Sequence, residues 1–319
     1  GSQFVHYFSG LNELGLIDSP CQIRALDTFQ RGKPEWVHTL ESRDYISFQS
    51  HDITEPAAFG RHDFVIHAAS IASPIFYRQH PIETMDANVT GLRNLLDDAV
   101  RNKPVSFLFF STSEIYGDPQ PEWIPTPENY RGNVSCTGPR ACYDESKRYG
   151  ETLCVNFWRT HQVPVKIARP FNNFGPGLKI SDRRVLPDFF RDIIDGKDLE
   201  LLSDGSATRT FCYVADAIEG YLRILLSDHN GESFNIGTRE PEVSMLDLAR
   251  MVIDVTGSKA ELKYTVSDDP DYLVDNPNRR CPDISKAQKM LDYTPRISLR
   301  EGLERSYEYY RDNRTATDG

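Results

Sequence analysis

The sequence predicts an α/β fold, a doubly wound parallel sheet with a smaller domain interleaved into it. Three observations carry that reading. Short apolar runs alternate with amphipathic stretches over most of the chain, and no internal repeat or low-complexity tract interrupts them. One of those runs, 105–110, leads straight into Ser111-Thr112-Ser113-Glu114. Polar residues just past a strand's carboxyl end lie where open parallel sheets bind ligands.

The elements follow in order. Residues 4–14 read as a helix, and 22–26 as a strand ending on Asp27. Residues 64–68 read as a buried strand closing on Ala69-Ser70. Val89, Leu92, Leu95 and Leu96 recur at helical spacing before the strand 105–110. A helix over 143–160 and strands over 165–168 and 233–236 complete the pattern. Around 171–210 and 239–319 the Pro, Gly and Asp breaks multiply and the helical patterns shorten, which assigns these segments to the smaller, substrate-binding domain. Residues 1–170 plus about 211–238 are left as the nucleotide-binding domain. No flexible linker separates the two, so they are expected to pack around one cleft.

Composition narrows the function. The 319 residues carry 36 basic and 47 acidic side chains, a net charge of −11, which phosphate backbones and anionic lipid surfaces repel. Nucleic acid and membrane partners are therefore not expected, and no apolar run approaches the ~20 residues of a membrane span. The six cysteines include no C-x-x-C pair and the N-terminus shows no signal-peptide pattern. Reduced thiols in a cytoplasmic protein, with no disulfide framework and no metal site, are the expectation. Cys142, beside Tyr143, reads as packing.

A dinucleotide fold needs a glycine turn after its first strand, a helix N-terminus facing the pyrophosphate, and an acid at the end of the second strand for a ribose hydroxyl. The chain enters its first helix at once, so the first strand and part of the glycine loop are read as absent from this sequence. Gly1 is read either as the last glycine of that turn or, with Ser2, as a cloning scar. Asp27 is the candidate ribose acid, and its charge favours NAD over a 2′-phosphorylated cofactor, with Arg31 the nearby counter-argument. Asp52 and Ile53 follow the next short strand and suit an adenine, while Ala68 and Ala69 close the strand after it. Each acid reads equally well as a surface turn.

Tyr143 and Lys147 stand four apart on an expected helix and so share a face. A lysine beside a tyrosine stabilises phenolate and brings the phenol down from its usual ~10, which makes Tyr143 a usable base for an alcohol proton during hydride transfer. Thr112, at the end of the preceding strand, supplies a hydroxyl for the same oxygen.

Taken together, Asn88-Val89-Thr90-Gly91, Ser111 to Gly117, Tyr143 with Lys147, and Arg169 to Pro176 resemble the extended short-chain dehydrogenase/reductase family over nearly the whole chain. That resemblance implies a Rossmann-type sheet binding NAD and places Asn88 among the cofactor contacts. The stretch Gly138-Pro139-Arg140-Ala141-Cys142-Tyr143-Asp144-Glu145-Ser146-Lys147-Arg148 is similar to that of UDP-glucuronate decarboxylases, and Ala72-Ser73-Pro74 with Tyr77 and Arg279 to Ile284 match them in type and order. The resemblance implies oxidation at C4 of a nucleotide-linked glucuronate, loss of the C5 carboxylate as carbon dioxide, and re-reduction. It makes Tyr143 the base, has Lys147 tune it and hold the nicotinamide ribose, and has Thr112 orient the C4 oxygen. Ser113 and Glu114 stand where related dehydratases carry an Asp-Glu pair, and the hydroxyl of Ser113 removes the acid that water loss needs. Arg209 is implied as partner of the substrate carboxylate. Asn172, Arg184 and Arg280 are implied for the diphosphate, Val185 for the pyrimidine, and Tyr77 for the carboxylate or the pocket wall. A homodimer is implied as well, its helices near 88–102 and 143–160 pairing with those of a second copy. A 4,6-dehydratase or 4-epimerase is the alternative in the same fold, and a non-catalytic nucleotide-sensing or scaffold protein is the alternative of another class.

Overall fold

The computed structural model describes residues 1–313; residues 314–319, assigned above to the smaller domain, lie outside the described residues. Helices are α1 (Ser2–Glu13), α2 (Glu35–Leu40), α3 (Pro74–Gln79), α4 (Pro81–Asp86), α5 (Leu92–Asn102), α6 (Ala141–His161), α7 (Val185–Ile194), α8 (Val214–Leu226), α9 (Met245–Thr256), α10 (Ser285–Leu291) and α11 (Leu299–Asp312). Strands are β1 (Ile23–Asp27), β2 (Ile46–Ser50), β3 (Phe64–His67), β4 (Ser106–Phe110), β5 (Val165–Pro170), β6 (Asn173–Phe174), β7 (Leu199–Leu201), β8 (Thr208–Arg209), β9 (Cys212–Tyr213), β10 (Ser233–Ile236), β11 (Val243–Ser244), β12 (Leu262–Tyr264) and β13 (Arg279–Arg280).

The main sheet is parallel, in the order β3-β4-β5-β10, and β1 and β2 form a separate parallel pair with Ile23 opposite Ile46. Among the described residues β1 is the first strand, and α1 stands ahead of it. Side chains of β4 alternate with the period of two that a pleated strand imposes. Phe107 and Phe109 join Leu92, Leu96, Cys154 and Phe157 of α5 and α6 on one face. Leu108 joins Phe4, Ala217, Leu225 and Phe234 on the other. Burial on both faces is what a near-continuous apolar strand such as β4 encodes. A second core gathers Phe174, Leu186, Phe189, Phe190, Leu199, Leu248, Val252 and Leu303 from α7, α9, α11 and the strands between them.

The helix expected around 89–96 is three pieces: α4, a wide π-helical turn over Ala87–Gly91, and α5. Sequence periodicity misses this because its cause is tertiary. Gly91 lies against the loop after β2, so close that a Cβ there would stand 2.5 Å from Ile53 Cγ2. The next helix ties down the same loop, Asn94 Nδ2 donating to the carbonyls of Ile53 and Thr54 at 3.0 and 2.9 Å. Asn88 is thereby buried inside the turn.

Candidate active site

Strand β4 delivers the polar cluster. Thr112 keeps an extended backbone and accepts a hydrogen bond from Glu114 N at 3.2 Å, which caps the 3₁₀ turn Ser113–Tyr116 and turns Glu114 inward. From the other side α6 presents Tyr143 and Lys147 one turn apart, both buried. The Thr112 hydroxyl hydrogen-bonds the Tyr143 phenol. Lys147 Nζ donates to Phe110 O at 2.8 Å.

Here the structure corrects the expectation that lysine lowers the phenol. Burial pushes Tyr143 up to about 12, against the Thr112 hydrogen bond. Burial also draws Lys147 down to about 7, so its ammonium is itself disfavoured. Bringing two groups into one dry site penalises both charged forms, and only an added charge reverses that.

Glu114 sits between two guanidiniums. Arg280 grips it with both arms, Nη1 to Oε1 at 2.6 Å and Nη2 to Oε2 at 2.5 Å, and Arg140 Nη2 donates to Oε2 at 2.5 Å. Burial alone would raise this carboxyl, but Arg140 and Arg280 outweigh it and hold Glu114 at about 2. Asp144, one turn past Arg140 on α6, moves the opposite way: burial first and then the charge of Glu114 push it up to about 8. Neither Arg140 nor Asp144 was singled out in the sequence, although their four-residue spacing lies inside the block 138–148 quoted there.

Arg209 is buried too, but it faces carbonyls. Its Nη1 donates to Thr208 O at 2.7 Å and its Nη2 to Pro277 O at 2.5 Å. Burial and then the nearby charge of Arg280 draw it down to about 9. Three buried guanidiniums thus stand near Glu114, while burial and the charge of Glu114 disfavour ionisation of Asp144, the other carboxyl of the cluster.

Buried polar atoms without a partner gather here as well: Tyr77 OH, Ser111 Oγ, Asn88 Oδ1, Asp144 Oδ1, Thr210 Oγ1 and His67 Nε2. Such atoms are costly unless a ligand or water completes them. Tyr77 lies stacked on Tyr143 with ring centroids 5.1 Å apart and planes 6° from parallel. Asn88 Nδ2 donates to Ser146 Oγ at 2.9 Å, which anchors the π-helical turn to α6. His67, at the end of β3, is held neutral by burial, down to about 3.

At the nucleotide end Asp27 is exposed at the close of β1. Asp52 accepts from Thr54 N at 2.9 Å and from Thr54 Oγ1 at 2.8 Å, a self-contained turn. Ala68 is half-buried and Ala69 exposed just beyond β3. On the substrate side Asn172 (φ 41°) donates through Nδ2 to Thr210 O at 2.9 Å, and Arg184 Nε meets Asp182 at 2.8 Å. Val185, half-buried, opens α7. The chemical residues Thr112, Ser113, Glu114, Tyr143, Lys147 and Arg280 are brought into one cluster with Tyr77. Arg184 is within electrostatic reach of the Tyr143 phenol.

Residues 15–237 match the model of the NAD dependent epimerase/dehydratase family. UDP-glucuronic acid decarboxylase 3 of Arabidopsis thaliana is 41% identical over 290 residues, 91% of this chain and 82% of that protein. UDP-glucuronic acid decarboxylase 1 of the same plant is 38% identical over 93% of this chain, which spans only 66% of its length. Among solved structures, UDP-glucuronic acid 4-epimerase from Bacillus cereus, with UDP-glucuronic acid and NAD, superposes at a TM-score of 0.78, with 26% identity and 95% of each chain covered. UDP-glucose 4-epimerase from Thermotoga maritima gives 0.83 at 23% identity, over 97% of this chain and 95% of that one, a likeness of fold.

Proposed function

Since the chain belongs to the NAD-dependent epimerase/dehydratase family, with NAD as its cofactor, we propose that it is a decarboxylase converting UDP-glucuronate to UDP-xylose. The residues fit NAD: an exposed acid at the end of β1 beside the start of α1 for the adenosine ribose, and Tyr143 and Lys147 on one face of α6 for the nicotinamide end. Bound NAD supplies an acceptor for the C4 hydrogen and returns it after carbon dioxide has left, so the overall reaction is redox-neutral.

The remaining work belongs to the chain. Tyr143 takes the C4 hydroxyl proton as phenolate, a form that the positive charge of a bound nicotinamide would favour against the burial that otherwise keeps the phenol protonated, and Thr112 holds that oxygen and the phenol together. Once C4 is a ketone, the C5 carboxylate leaves as carbon dioxide and its bonding electrons pass into an enolate, which takes up a proton at C5 from a water molecule, the hydroxide left behind being neutralised from solvent. Glu114, fixed as a carboxylate by Arg140 and Arg280, orients groups at C5 and does not itself donate the proton. Ser113, where a dehydratase carries an acid, leaves no donor for expelling a C6 hydroxyl.

One observation carries the choice of substrate. The excess of buried guanidinium (Arg140, Arg209, Arg280) over ionised carboxylate favours an anionic sugar over a neutral one. The relatives at 38–41% identity support the same reading. Asn172 and Arg184 remain the proposed diphosphate contacts, whereas Arg280, expected there from the sequence, has both arms on Glu114 and belongs to the sugar end; Val185 is proposed below the pyrimidine and Tyr77 against the sugar. A cytoplasmic homodimer is part of the proposal; among the described residues no helix is long and apolar enough to cross a membrane.

A second reading, 4-epimerisation of UDP-glucuronate, draws on the Bacillus cereus likeness. NMR of UDP-glucuronate incubated with enzyme and NAD decides between them. Carbon dioxide with UDP-xylose is the expected outcome, and inversion at C4 with the carboxylate retained replaces it with the epimerase.

A further inference from the structure

One loop of the smaller domain, 175–184, touches three separate segments of the nucleotide domain. Gln3 Nε2, in the first turn of α1, donates to Pro176 O at 2.7 Å. Lys179 Nζ donates to Arg31 O at 2.5 Å, and Arg31 Nη1 meets Asp182 Oδ1 at 2.6 Å. Ser73 Oγ, past the end of β3, donates to Asp182 O at 3.0 Å. The start of α1, the loop after β1 and the loop after β3 are the segments among which a parallel sheet of this kind holds its dinucleotide.

The loop is built for this crossing. Its base is pinned by Tyr310 OH, which donates to Leu178 O at 3.0 Å, and Ile180 is buried beneath it. Gly177 takes the positive φ of 93° that favours glycine, and its Cα faces the end of the Gln3 side chain on α1. Asp182 is buried, with Arg31 on one oxygen and Arg184 on the other. Arg31 in turn lies over the Phe76 ring, 4.8 Å from its centroid. The sequence marked Arg31 as a possible 2′-phosphate partner, but in the structure its guanidinium is committed to Asp182.

We propose that residues 175–184 form a strap across the cofactor cleft, latched by Asp182 and Arg31 as positioning residues, and that the strap retains the reduced cofactor while the oxidised sugar awaits re-reduction. A redox-neutral cycle needs that retention. If NADH leaves after the first oxidation, a ketosugar is stranded and the enzyme is left unable to finish. The strap also runs directly into α7, so the hold on the cofactor and the wall of the sugar-nucleotide side are one continuous piece of chain.

The binding half of this inference rests only on NAD as cofactor; the consequence for product rests on the decarboxylase reading. The two are tested separately. NADH is bound to the full-length enzyme without sugar, and its release is followed by nicotinamide fluorescence after mixing with excess NAD. Arg31→Ala and Asp182→Asn are each expected to speed release about three- to fivefold, the upper scale of one partly exposed ion pair, and the double variant to be no faster than either. Arg31 is about half exposed, so its replacement leaves the core intact. Release within twofold of wild type in Arg31→Ala, or independent effects that multiply in the double variant, overturns the latch. With UDP-glucuronate present, the variants are then expected to leave several-fold more 4-ketopentose and free NADH per turnover. A variant that releases NADH faster yet yields no more ketosugar overturns the retention role while leaving the latch standing.

Discussion

Two carboxyls in one buried cluster are driven to opposite protonation states, and arginine placement decides which goes where. Glu114 has two guanidiniums in direct contact, and its charge is favoured despite burial. Asp144 has only the longer approach of Arg140 Nε, 3.9 Å away, and burial wins. Stability should carry the imprint. Glu114, lowered from 4.5 to about 2, contributes stability present above pH 4.5 and lost as pH falls through about 2. Asp144, raised from 3.8 to about 8, keeps in the native state a proton that the unfolded chain loses, so its contribution declines as pH climbs from about 4 to about 8. Asp144→Asn removes that decline, and its melting temperature relative to wild type is expected to improve steadily between pH 5 and pH 8. Parallel melting curves across that range would return Asp144 to an ordinary ionised aspartate. Tyr143→Phe tests the chemical end: turnover is expected to fall by ~10²–10⁴, the loss of a general base, while NAD binding by calorimetry stays within a few-fold. Undiminished turnover would remove Tyr143 from the mechanism.

Among elements, the π-helical turn is the most constrained join. Gly91 there meets Ile53 so closely that Gly91→Ala forces the loop after β2 outward. A loss of about 1–3 kcal/mol is expected, as for overpacking a tight site, read as a shifted urea midpoint, together with weaker NAD binding. An unchanged midpoint would mean that Ile53 simply turns aside. This join also marks where the sequence stopped being legible. Strands β3, β4, β5 and β10 follow from their apolar runs to within two residues, because burial on both faces writes itself into composition. Thr112, Tyr143 and Lys147 were legible from spacing, since four residues make one helical turn. The split of 81–102 into two helices and a wide turn, and the strap 175–184, were not, because their causes are contacts between segments far apart in the chain. The charge states of Tyr143, Lys147 and Asp144 were hidden for the same reason: burial sets them, and only the assembled fold defines burial.

For the whole molecule, the proposed homodimer can be placed on particular exposed side chains. Ile82 and Met85 on α4 are 64% and 43% exposed, and Tyr149 on α6 is 52% exposed. Helices α4 and α6 pack against each other, so these residues lie on neighbouring surfaces, and on an isolated monomer that apolar area would face water. Twofold symmetry would cover both copies at once, α4 and α6 of one subunit against those of its partner, so the proposed pairing keeps the expected helix 143–160 and moves from 88–102 to the helix just before it. The association must outweigh the repulsion between two chains of charge −11 each, which salt screens over roughly 8–10 Å at physiological strength. A dimer that tightens from low to physiological salt is therefore expected, measured as mass by light scattering across a dilution series. Met85→Glu with Tyr149→Glu should yield a folded monomer of unchanged circular dichroism, because neither residue belongs to a core. The active-site residues Thr112, Tyr143 and Lys147 lie within one chain, so that monomer is expected to keep NAD binding. A wild-type mass of one chain at micromolar concentration would sink the dimer, and a double variant that stays dimeric would move the interface off α4 and α6.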